Sequence, residues 1–353
     1  MKQRNHAFDF LCGICIIRMI TLHITNMCSL NDNAVWVQVM HWTYYFMSFF
    51  FFKAGYFNKT LEGNSWAFLK KKTKQLLVPY VVWGTVGCLV WFFFVVFFLP
   101  KDNSMVKEMT ISHLWTTSSF WGNAPTWFLL SFYTAYVVMH FMRKCPVLRI
   151  PLGNRSLPLK LHYVTLLFPF VSYWLYQHDN PIWFSLNNVF WGLFLFFLGK
   201  VWRILIARLR PQRMIVLSTL LIVIFCVLNA IDEGEYTMST NTWTGSFPLT
   251  FIKIVCSICG ISGLLLSLDM PRIPGINYIG QHSMVFFVLH YPILVFYKML
   301  KVTNTHSMKG FWDDWIILIL LAFAFCSWMV PYVERIPWLS GRAREARSKE
   351  DIR

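Results

Sequence analysis

The sequence predicts an all-α integral membrane protein, a bundle of about ten transmembrane helices in one membrane-embedded domain over residues 1–353, with both termini cytoplasmic. Three observations carry this. Apolar residues make up 56% of the chain and aromatics 18%, against 14% charged residues, and the mean hydropathy is +0.49, well outside the balance of soluble domains. Ten runs approach the ~20 apolar residues that cross a bilayer. The basic residues gather in alternate connections between those runs.

The ten runs fall near 8–30, 35–57, 79–99, 125–142, 161–176, 183–200, 214–231, 248–268, 284–300 and 315–333. The fifth and sixth are short. "FLKKKTKQLLVPY" (68–80) begins as a basic interfacial stretch and reaches Pro79, a residue that suits the first turn of the third span. No connection is long enough for a second folded domain, and no internal repeat supports an inverted-repeat transporter.

Orientation follows from the loops. The N-terminus and every second connection hold 24 Lys and Arg residues, while the other side holds 4, namely Lys101, Lys107, Lys301 and Lys309. The positive-inside rule then makes both termini cytoplasmic. The formal net charge of +16 does not point to nucleic acid, because its cations sit between apolar runs and not on a soluble face. The nine cysteines are scattered, and Cys256 and Cys259 read as helix neighbours at i, i+3, since no further Cys or His is near to complete a metal site.

The first run, "FDFLCGICIIRMITLHIT" (8–25), carries Asp9, Arg18 and His23. Ionisable groups at bilayer depth cost several kcal/mol unless they pair or line a hydrated cavity, so they mark a pathway or a reaction. At ~100° per residue Asp9, Cys12 and His23 share a stripe, and Arg18, ~140° from His23, looks elsewhere. His23 lies ~22 Å along the helix, past the midplane toward the outer side. A lone membrane histidine is also a common hydrogen-bonding link between helices. Asp9 alternatively caps the first turn, where a carboxylate suits the helix dipole.

Six segments in order resemble membrane acyltransferase family three. "DFLCGICIIRMITLH" (9–23) resembles its first span, in which a basic residue precedes a histidine by eleven. "FFFFKAGYF" (49–57) is similar to its second-span ending, "KQLLVPYVVW" (74–83) to its third-span entry and "TWFLLSFY" (126–133) to its W-F-L segment. "LFLFFLGK" (193–200) resembles an F-x-L-G span end, and "YIGQHSMVFFVLHYPIL" (278–294) the Y-x-G-x-x-S-x-x-x-Y-x-x-H-x-P stretch. The "FFFFKAGYFNK" form is closest to the fucose 4-O-acetylase-like subgroup of surface polysaccharide O-acetyltransferases.

The resemblance implies a multi-pass O-acyltransferase of the bacterial cytoplasmic membrane. It would move an acetyl group from acetyl-CoA, without a metal, to a hydroxyl of a cell-surface glycan or lipid-linked precursor. His23 would be the general base or nucleophile and Asp9 the acidic partner. Lys53, Lys72 and Arg18 would meet CoA phosphates. His290, Trp127 and Ser283 would support the site; their bland roles are helix packing, an interfacial anchor and a helix cap. Cys12 stands where the family has Arg or Lys, and Ala54 where it has Ser. Lys53, at similar depth on the second span, is the candidate replacement for the missing cation. The rival class is a transporter or flippase for a glycolipid or small acid, whose buried charges would line a path.

Overall fold

The computed structural model describes residues 5–58, 64–98, 111–146, 148–152, 155–180, 182–268, 270, 272–305 and 312–341. Helix dominates because nearly every long apolar run has to satisfy its own backbone when no water is at hand. Seven helices among the described residues are long and apolar enough to cross a membrane: His6–Met27, Ser65–Phe93, Asn188–Arg208, Pro211–Ile231, Phe247–Ser267, Ser283–Lys301 and Trp312–Arg335. Lys101, Lys107 and Lys309 of the loop-charge count lie outside the described residues.

In chain order, α1 is His6–Met27, started by the Asn5 side chain, which accepts from the Phe8 amide. The second expected span is broken: α2 (Ala34–Thr43) and α3 (Phe46–Phe57) meet at Tyr44–Tyr45. The break brings Thr43 and Phe46 together around Arg18, so the chain turns where it meets a buried cation. The third span also differs from expectation. Pro79 falls in the first turn of α5 (Val78–Phe98), but that helix is not entered from a loop: α4 (Ser65–Lys72) runs into it through a π-helical turn at Thr73–Leu77. Proline cannot bond to the carbonyl four residues back and its ring crowds it, and the wider turn just before it absorbs the misfit.

After α6 (Ile111–Thr117), α7 (Trp127–Lys144) follows a 3-10 turn at Ala124–Thr126. A two-stranded antiparallel hairpin, β1 (Leu148–Leu152) with β2 (Arg155–Leu159), comes next. The fifth expected span begins as a 3-10 segment, Leu161–Leu167, and becomes α8 only at Phe168–Gln177. The sixth starts later than expected, as α9 (Asn188–Arg208), because Phe184 takes a left-handed conformation in the short turn before it. Then come α10 (Pro211–Ile231), a small hairpin of β3 (Tyr236–Thr237) and β4 (Thr242–Trp243), and α11 (Phe247–Ser267). The short α12 (Pro274–Gln281) was not anticipated; α13 (Ser283–Thr305), α14 (Trp312–Arg335) and α15 (Pro337–Ser340) complete the chain.

Glycines set the closest helix contacts. A Cβ on Gly55 would collide with the Phe196 carbonyl and one on Gly199 with the Phe52 carbonyl, so α3 and α9 touch backbone to backbone. Gly280 of α12 lies in the same way on the Asp9 carbonyl of α1. The two contacts hold α1 and α3 in place, and with them His23 and Lys53.

Candidate active site

The site is built at the end of the bundle where α1 finishes. His23 lines a cavity of about 130 Å³ together with Arg18, Tyr44, Trp127, Glu235 and Phe287. Trp127 is thus a wall of the cavity and not merely a surface anchor. Arg18 also lines it, contrary to the expectation that it would look elsewhere: its long side chain reaches back along the helix surface despite the angular offset. Its Nε donates to Thr43 Oγ1 at 3.1 Å, its guanidinium stacks 3.9 Å from the centre of the Phe46 ring, and Nη1 has no hydrogen-bond partner.

His290 of α13 stands beside His23, with ring centroids 5.4 Å apart, and the Tyr291 ring lies edge-on to His23 at 5.1 Å. His290 is fully buried. Its Nδ1 lies 3.0 Å from the Phe286 carbonyl, which can only accept; Nδ1 therefore carries a proton, and in the neutral ring Nε2 keeps a lone pair. That Nε2 has no hydrogen-bond partner. Pro292 has a local consequence. It cannot donate to the Val288 carbonyl four residues back, and Asn123 Nδ2 donates to that oxygen instead at 3.0 Å, and also to the Trp83 carbonyl at 3.1 Å. Asn123 so ties the loop that leads into Trp127 to the helix that carries His290.

The cavity is roofed by the β3–β4 hairpin, which reasoning from sequence missed. Lys253, on α11 and fully buried, donates to the carbonyls of Asp232 (2.7 Å) and Gly234 (2.6 Å) and pairs with Asp232 Oδ2 at 2.8 Å. All three ammonium protons are spent on the strand approach to Glu235. His41 of α2 holds Glu235 from the other side, with Nδ1 3.1 Å from Oε1 and Nε2 2.9 Å from the Asn229 carbonyl. Tyr236 and Trp243 face each other across the hairpin and are buried, and Asn241 Nδ2 donates to the Ser172 carbonyl at 2.9 Å. Lys253 carries no motif, but a lysine inside an apolar run is itself a signal.

The remaining expected residues lie elsewhere. Asp9 sits buried in the first turn of α1, ~21 Å along the helix from His23, and lines neither this cavity nor the two other spaces described below. Ser283 opens α13, ~10 Å along that helix from His290, and also stays out of the cavity. Lys53 reaches Cys12, with Nζ to Sγ 2.8 Å. Lys72 turns inward and places its ammonium 3.4 Å from the centre of the Tyr136 ring, while its neighbours Lys70, Lys71 and Lys74 line a groove of about 830 Å³ with Arg335 and Trp338. Among the described residues no group of three or more His, Cys, Asp or Glu is placed to hold a metal, and Cys256 and Cys259 are buried thiols of α11.

An imidazole on a small cavity that Arg18, Tyr44 and Glu235 also line, with a second imidazole packed beside it, suits proton transfer to or from a hydroxyl. Residues 5–330 match the family model described as "Acyltransferase domain", of acyltransferase family three. The chain belongs to this acyltransferase family. No curated protein and no solved structure matches it. As a family-three acyltransferase it is a multi-pass membrane protein, and the matched stretch takes in α1 through most of α14, hence His23, His290, Lys253 and Arg18 alike.

Proposed function

We propose that the protein is a membrane O-acyltransferase that takes an acyl group from a CoA thioester, acetyl-CoA in the simplest case, at the cytoplasmic face. The acceptor is a hydroxyl of a cell-surface polysaccharide or a lipid-linked glycan precursor on the other side of the bacterial cytoplasmic membrane, as in the fucose 4-O-acetylase-like subgroup. The ten crossings are the seven long helices plus the broken α2–α3 pair, α7, and the 3-10 segment leading into α8. Both termini are cytoplasmic, in keeping with the loop charges.

The observation that carries this reading is the placement of His23 on a cavity beneath the β3–β4 hairpin, at the opposite end from the basic groove of Lys70, Lys71, Lys74 and Arg335. Cations match the donor's phosphates on one side, and the imidazole meets a hydroxyl on the other. In the transfer step His23 takes the proton of the acceptor hydroxyl as its oxygen bonds to the thioester carbonyl carbon. The tetrahedral centre collapses, the carbon–sulfur bond breaks, and the leaving thiolate takes that proton from the imidazolium. His290, fixed by the Phe286 carbonyl, packs beside the ring that does this work.

The test is acyl transfer by the purified full chain, with labelled acetyl-CoA and a glycan-bearing membrane fraction. Labelled glycan whose appearance depends on His23 supports the reading. A protein that moves an unmodified glycolipid or organic acid across vesicles without breaking the thioester would be the transporter instead.

A further inference from the structure

Arg18 also lines a second space. A groove of about 520 Å³ runs between α1, the α2–α3 pair and α11, with walls that include Phe10, Ile14, Ile17, Val39, Phe49 and Ile261. Apart from Arg18 and a few hydroxyl and thiol groups, those walls are hydrocarbon. From Phe10 to Thr21 the groove follows ~16 Å of α1. It opens sideways, since Ile14 and Val39 on facing walls are 39% and 38% exposed. Arg18 and Phe46 are shared with the His23 cavity; Arg18 is 7% exposed and lines both spaces.

We propose, on the reading that this protein transfers acyl groups, that the groove holds the hydrocarbon chain of the donor's acyl group, with the thioester carbonyl at Arg18 and the tail along Ile17, Ile14 and Phe10. The substrates are then acyl groups longer than acetyl. Three observations select this occupant. The groove and the reaction cavity meet at the stacked Arg18–Phe46 pair, which lines both spaces, so a thioester carbonyl held by Arg18 stands at the wall of the His23 cavity. The guanidinium is held by Thr43 and Phe46, yet Nη1 has no hydrogen-bond partner and no ion pair to Arg18 occurs among the described residues. A buried donor left unpaired costs about 1–3 kcal/mol, and a carbonyl oxygen that becomes an oxyanion during attack repays it most when the charge develops. The third observation is depth. Arg18 lies ~18 Å along α1 from its first residue, deep in the bundle, whereas phosphates of bulk phospholipid stay at the interface.

The experiment measures CoA release from acetyl-, butanoyl-, octanoyl- and dodecanoyl-CoA by the purified full chain in the presence of the glycan-bearing membrane fraction as acceptor, and binding of the same thioesters by calorimetry. The expected result is a kcat/KM for the longer thioesters roughly tenfold or more above acetyl, as expected for several buried methylenes. Ile14→Trp and Ile261→Trp fill the groove from two different walls without touching His23 or Arg18. Both should remove the preference for long chains and leave acetyl-CoA turnover near that of the unaltered protein. A wild-type preference for acetyl-CoA, or an order of preference unchanged in both filled variants, overturns the chain site and leaves the acyltransferase reading intact. Tight, groove-dependent binding of long thioesters with no CoA release at any length supports the chain site and overturns the transfer reading. Absence of both binding and release overturns the two together.

Discussion

Lys53 Nζ lies 2.8 Å from Cys12 Sγ, with Cys12 fully buried on α1 and Lys53 arriving from the antiparallel α3. The resemblance in sequence leads to the expectation of a basic side chain at position 12; here the ammonium comes to that place from α3, which Gly55 and Gly199 seat against α9. A positive charge at this depth is costly unless it serves an anionic group. Lys53→Ala is therefore expected to lose acyl transfer, and Lys53→Ala combined with Cys12→Arg to regain it. Transfer rates of the two variants against wild type decide it: full activity in Lys53→Ala removes the residue from its assigned role.

His23→Ala should lower transfer by roughly 10²–10⁴-fold, the usual worth of a positioned general base. Expression and membrane insertion should stay near normal, because a polar-to-apolar change inside a span does not hinder insertion. His290→Ala should slow the reaction less, since its ring stands beside His23 and not in its place. Single-turnover rates with equal amounts of folded, detergent-purified protein compare the three chains.

The roof of the cavity should be acid-sensitive. Burial raises the pKa of the Asp232 carboxyl, but the Lys253 hydrogen bond and charge, with the Ser246 and Gly234 amides, outweigh it and hold the pKa below the ordinary value. A depressed carboxylate stabilises the fold above its unfolded pKa, and that contribution disappears as pH falls through the folded one. Thermal melting of the wild type should accordingly weaken below about pH 4, and Asp232→Asn should flatten that slope.

Lys253→Met should cost about 3–5 kcal/mol, since it leaves the Asp232 carboxylate without its cation and the Asp232 and Gly234 carbonyls without the ammonium that donates to them. With Glu235 no longer held in register, KM for the acceptor should rise more than kcat falls. Equal losses in both, or no change in melting temperature, would refute the role of Lys253 as the clamp of the hairpin.

Sidedness gives one more expectation. In sealed vesicles of known orientation, CoA should be released on the side bearing the termini and acylated glycan should form on the other. Both products on the terminal side would reject transfer across the membrane while leaving the family assignment unaffected.

What the sequence by itself determined is the class of the molecule and most of its candidates. Long apolar runs must become helices in a bilayer, so α1, α10, α11, α13 and α14 appear close to where hydropathy places them. His23 and His290 stand out in the same way, as polar groups with no cheap reason to be in apolar runs. Breaks such as Tyr44–Tyr45 and the π turn before Pro79 escape hydropathy, because they lie within apolar sequence and cost only a local change of backbone. Tertiary structure alone decided which groups meet. Asp9 and His23 share a helix yet stand ~21 Å apart, while His23 and His290, 267 residues apart in the chain, touch ring to ring. Lys53 finds Cys12, Lys253 finds the hairpin, and Arg18 comes to lie between two spaces for the same reason: helix periodicity fixes an angle and a rise, but the partner on the next helix depends on where small residues let backbones approach and where a long side chain finds an acceptor.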